Sequence, residues 1–95
     1  MAIAVTITAP LNAATYDQIV SFHAPNLRRQ AGFQFHYAQP TVAGWTVTEI
    51  WDSQAAYTAW FDTNVKPNLP LGTEADVTPI HNTVARSYKT QGVQA

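Results

Sequence analysis

The run from Gly44 to Leu69, GWTVTEIWDSQAAYTAWFDTNVKPNL, changes its hydrophobic period half-way along. Trp45, Val47, Glu49 and Trp51 fall on one side of an alternating segment, with Thr46, Thr48 and Ile50 on the other, which is the period of a strand. From Ala56 onward the spacing is helical, and Tyr57, Trp60, Phe61, Asn64, Val65 and Leu69 share one stripe. Asp52 and Ser53 mark the switch, because either side chain can accept a hydrogen bond from the free amides of a helix's first turn. The result is a strand-to-helix joint with a tryptophan on each side.

The flanking sequence supplies four more elements. Ala2 to Thr8 alternates, with Ile3, Val5 and Ile7 on one face, and Pro10 ends it. Asn12 or Thr15 caps a helix whose apolar stripe is Tyr16, Ile19, Val20 and His23, and Pro25 is expected to stop it. Gly32 opens a second strand from Phe33 to Gln39, closed by Pro40; the third strand and a second helix from about Ser53 to Val65 follow. KPNLPLGTEAD reads as a loop rich in turn residues, and the last strand is expected from Val77 to Ala85. Pro79 within it cannot donate to a ladder, so this strand belongs at a sheet edge. The order βαββαβ is the ferredoxin-like α+β pattern: an antiparallel sheet with two helices on one face, in a single domain spanning residues 1–95.

Composition limits the partners. Only 12% of residues are charged, against roughly 25% in an ordinary soluble domain, while 46% are hydrophobic. A chain of this size hides only about two-thirds of its unfolded surface, so a second copy is expected to cover apolar area that would otherwise be wet. Net charge is −1, without the basic surface of a nucleic-acid binder. Cysteine is absent, which removes disulfides and thiolate metal sites. The apolar N-terminus has no basic leader and alternates like a strand, and no apolar run approaches the roughly 20 residues of a membrane span. A cytoplasmic homodimer that binds neither membrane nor nucleic acid is the expectation.

The stretch carrying Glu49, Trp51, Ser53 and Trp60 resembles the E-x-W-x-S joint of the antibiotic-biosynthesis-monooxygenase superfamily of dimeric α+β barrels, where a strand leads into an aromatic-rich second helix. VTPIHN, Val77 to Asn82, is similar to the last strand of small actinobacterial-type members. Together with Gly32 to His36 the resemblance spans most of the chain. It implies a dimeric barrel with a pocket between helices and sheet. Some relatives are cofactor-independent monooxygenases that deprotonate anthrone-like polyketide phenols and let the carbanion reduce oxygen directly. Such an enzyme needs no cofactor, only an apolar cavity, a base and donors for the enolate oxygen.

Three histidines stand on separate elements: His23 on the first helix, His36 on the second strand and His81 on the expected fourth. A neutral imidazole titrates near neutrality and can act as a base; its structural alternative is a hydrogen-bonded core residue. The resemblance makes His36 or His81 the catalytic base, with His23, Trp60 or Asn82 as donors to the substrate and Tyr57 beside Trp60 on an aromatic wall. Tyr57, Trp60 and Phe61 at helical spacing are also what a plain core looks like.

Scattered on different elements with no clustered carboxylate, the histidines do not form a metal motif. Glu49 is the only acid inside a strand and is expected to make an interface hydrogen bond. Other relatives degrade heme through an Asn on the first strand and a Trp and His on the second helix. Trp60 matches that Trp, but the first strand carries no Asn and the histidine position falls near Pro70; His23 or His81 would have to bind heme from another direction. Two further classes share these residues: cyclase, isomerase or lyase chemistry by the same histidines without oxygen, and a non-catalytic binding protein.

Overall fold

Ile3, Val5 and Ile7 make the inner face of the first strand and are almost wholly buried, with Val5 and Trp51 at the centre of the core. Each large apolar side chain buried in this way stabilises the fold by roughly 1.5–3 kcal/mol. The computed structural model describes residues 1–42 and 44–84. The elements are β1 (Ile3–Ala9), α1 (Ala13–Leu27), β2 (Phe33–Thr41), β3 (Gly44–Trp51), α2 (Gln54–Trp60) and β4 (Glu74–Pro79). They form one four-stranded antiparallel sheet in the order β2-β3-β1-β4, the ferredoxin-like α+β arrangement. β4 takes an edge, where Pro79 costs no ladder bond.

Both helices start where a side chain replaces a missing backbone acceptor. Asn12 is extended and accepts from the Thr15 amide at 2.9 Å, and Ser53 Oγ accepts from the Ala56 amide at 3.2 Å. Pro25 does not stop α1, contrary to expectation; the helix runs on to Leu27. The ring removes one amide in the last turn, while Leu27 is buried in the core and anchors that turn.

The second helical segment also departs from a regular helix. After Trp60 the chain widens into a π-helical turn, Phe61–Val65, and tightens into a 3₁₀ turn, Lys66–Asn68. Asn64 Nδ2 donates to the Trp60 carbonyl at 3.1 Å across the widened turn.

β4 begins at Glu74, within the segment read as loop, because Glu74 to Pro79 pair in register with Thr8 to Ile3. It ends at Pro79, so His81 and Asn82 lie beyond the strand rather than on it. The expected strand end at Ala85 falls outside the described residues.

A bulge sets the parity of β2. Phe33 pairs with Trp51 and Phe35 with Ile50, leaving Gln34 as an extra residue. Phe33 therefore packs inward against Trp51, Phe35 and Tyr37 point away from the helices, and His36 turns inward. Gly44, at φ +126°, lets β3 start hard against β1: a Cβ there would stand 2.6 Å from the Ala9 carbonyl oxygen.

Candidate functional site

The site grows from one cross-strand pair. His36 on β2 lies directly opposite Glu49 on β3, and both point to the helix side of the sheet. Glu49 is only 5% exposed, so its carboxylate must find donors within the protein. Trp51 Nε1 donates to Glu49 Oε1 at 2.9 Å, and His36 Nδ1 lies 2.8 Å from Glu49 Oε2. The carboxylate accepts both hydrogen bonds, so Nδ1 of His36 carries a proton, and in the neutral imidazole Nε2 is then the acceptor. Tyr16 on α1 closes the chain, with its hydroxyl 2.6 Å from His36 Nε2.

Tyr16 is fixed by helical spacing and by packing. It shares the inner stripe of α1 with Val20, His23 and Leu27, and its ring lies 5.4 Å from that of Trp45. Burial, then the charge of Glu49 and that of Asp17, raise its pKa above the ordinary phenol value, so the hydroxyl stays protonated. Trp45 adds an unusual element to the same wall. Its indole N–H is sealed from solvent and has no partner among the described residues.

These side chains surround an apolar cavity of about 90 Å³ between sheet and helices, lined by Tyr16, His23, His36, Trp45, Glu49 and Trp60 among others. An open cleft of about 400 Å³ adjoins it, and Ile19, His23, Val65 and Leu69 border both. The widened turn after Trp60 supplies Val65 to this threshold. His23 stands there edge-on to Trp60, with ring centroids 5.7 Å apart, and has no hydrogen-bond partner among the described residues.

Of the residues singled out from sequence, His36, His23 and Trp60 come together around this cavity. Tyr57 does not: it is buried in the core beside Trp51 and Phe61, with its hydroxyl unpartnered among the described residues. His81 and Asn82 are exposed beyond β4 and line no part of the cavity. Sequence reasoning missed Tyr16 and Trp45, which read as apolar stripe, and understated Glu49. The available signals were a tyrosine on a buried stripe, whose polar tip needs a partner, and a lone acid on the inner face of a strand. No cluster of three or more candidate metal ligands occurs among the described residues. No helix among them is long and apolar enough to cross a membrane.

Solved structures share this fold over nearly the whole chain. A heme-degrading protein, Rv3592 of Mycobacterium tuberculosis, superposes with a TM-score of 0.71 at 14% identity, covering 90% of this chain and 98% of that one. The monooxygenase from ActVA-Orf6 of Streptomyces coelicolor, solved with nanaomycin D, gives 0.59 at 18% identity, covering 90% and 92%. SnoaB, a cofactor-independent oxygenase of Streptomyces nogalater, gives 0.60 at 16% identity, covering 90% and 96%. Neither a protein-family model nor a curated protein matches the chain by sequence. The likeness is therefore one of fold: the chain shares the ferredoxin-like α+β architecture of these proteins.

Proposed function

We propose that this protein is a cofactor-independent oxygenase that removes a proton from an activated methylene of a phenolic, polyketide-like aromatic and lets the carbanion react with oxygen. The observation that carries this reading is the His36–Glu49 pair at the wall of an apolar cavity. A base backed by a buried carboxylate has somewhere to put its positive charge. The inner chamber admits the reacting edge of a flat ring system while the remainder lies in the cleft, and the unpaired Trp45 N–H suits a substrate oxygen near that wall.

The chemistry balances with oxygen alone. Loss of one proton from the methylene gives a carbanion, which passes electrons to oxygen and forms a carbon–oxygen bond. Protonation gives a hydroperoxide; loss of the second hydrogen from the same carbon, with cleavage of the O–O bond, releases water. CH₂ and O₂ become C=O and H₂O.

Oxygen uptake with 1,8-dihydroxyanthrone tests the proposal. Turnover should fall by roughly 10²- to 10⁴-fold in His36→Gln and stay unchanged in His81→Gln. Full turnover in His36→Gln removes the histidine base. The oxygen-free alternative, isomerase or lyase chemistry by the same base, predicts product without oxygen uptake. A heme alternative would take His23, at the threshold between chamber and cleft, as its ligand.

A homodimer belongs to the same proposal. The outer sheet face carries Phe35 and Tyr37, 55% and 45% exposed with rings 6.0 Å apart, beside Ile50 and Thr48 on β3. A second copy of that face is its natural cover in a chain with so few charges.

A further inference from the structure

His36 offers a substrate no free ring nitrogen in this arrangement. Glu49 holds its Nδ1 and the Tyr16 hydroxyl holds its Nε2, so both ring nitrogens are occupied. Tyr16 also lines the cavity, and its hydroxyl is the last group of this hydrogen-bonded row. We infer that Tyr16 is a catalytic residue, taking the substrate proton on its oxygen while passing its own proton to His36 Nε2, with Glu49 stabilising the imidazolium. The inference rests on the proposed proton abstraction at this site and adds the group that performs it.

The transfer is neutral at Tyr16 throughout. The substrate C–H bond breaks and an O–H bond forms on Tyr16, as the original Tyr16 O–H breaks and an N–H forms on His36. The substrate is left as an enolate, His36 as imidazolium and Glu49 as carboxylate. Burial and the charge of Glu49 disfavour a phenolate at Tyr16, so the residue relays charge and does not store it. After the step the hydrogen-bond direction is reversed: His36 Nε2–H donates to Tyr16, and the Tyr16 hydroxyl is free to donate to the enolate it has just produced. One phenol thus serves first as acceptor and then as donor.

Glu49 is a positioning residue in this scheme. Trp51 fixes one of its oxygens, so the other is presented to His36 Nδ1 in a single orientation. A Tyr16 that only packed would show none of this, because its ring contacts with Trp45 persist in phenylalanine.

The test is exchange of the methylene hydrogens of 1,8-dihydroxyanthrone into deaerated D₂O, followed by proton NMR with the full chain. No oxygen is needed, so proton transfer is read apart from oxidation. Tyr16→Phe should lower the catalysed rate about 10²-fold or more, with KM within about threefold of the parent, and Glu49→Gln should also slow it. If Tyr16→Phe exchanges at the parent rate while His36→Gln does not, His36 takes the proton itself: the relay is wrong and the proposed function stands. If exchange depends on Tyr16 but oxygen uptake is absent, the relay stands and the oxidation falls. Absence of exchange by the parent protein overturns both, and full exchange by Glu49→Gln overturns the relay even should Tyr16→Phe fail to fold.

Discussion

A buried phenol without a partner is costly, and Tyr57 is one. Its ring packs between Trp51 and Phe61 while its hydroxyl meets no hydrogen-bonding group among the described residues. Tyr57→Phe keeps the packing and removes the unpaired group, so denaturant unfolding should show a gain of about 1 kcal/mol; a loss would mean that the hydroxyl is bonded. The same residue dictates an alkaline response. Burial, then Glu49 and Asp62, raise the Tyr57 pKa, and burial with Glu49 raises that of Tyr16. Unfolded phenols release their protons near pH 10, below the folded groups, so above that pH the unfolded chain binds fewer protons. Stability should be insensitive to these groups below about pH 10 and fall as pH rises beyond it. The decline should be shallower in Tyr57→Phe.

Among the elements, α1 contains the clearest local conflict. Pro25 is exposed in its last turn, where the residue four positions earlier, Ser21, loses an amide partner. Proline costs about 3 kcal/mol in a helix interior, and a final turn recovers part of that; Pro25→Ala should raise stability by about 1–2 kcal/mol in thermal or denaturant melts. This conflict also explains why the C-terminus of α1 was misread. Proline is a local signal, and the burial of Leu27 that overrides it is a tertiary one. The caps Asn12 and Ser53, the alternation of β3 and the edge place of β4 were legible because each depends on near neighbours in sequence. The start of β4 was not, since Glu74 and Ala75 become strand by pairing with Thr8 and Ile7. At the site, His36, His23 and Trp60 could be nominated from residue type and element. Tyr16, Trp45 and Glu49 acquire their roles only from a cross-strand register and a helix laid over it.

For the whole molecule, the two faces of the sheet have separate tasks. The inner face holds the core and the cavity, and the outer face exposes Phe35 and Tyr37. Association through that face should bury at least about 1,000 Å² in total. Light scattering at micromolar concentration should report a dimer, and Phe35→Asp with Tyr37→Asp should convert it to monomer without unfolding the inner core. A parent protein that scatters as a monomer rules the interface out.

The extra residue at Gln34 separates these tasks along a single strand. Were Gln34 paired in regular alternation and not bulged, Phe33 would fall on the side of Phe35 and Tyr37 and Trp51 would lose its edge-on partner. Gln34 is also a spacer in the literal sense: deleting it leaves Phe33, Phe35 and His36 alternating inward, outward and inward. Relatives that lack such a residue would need a gap in the middle of a strand to be matched to this chain, where gaps are ordinarily penalised.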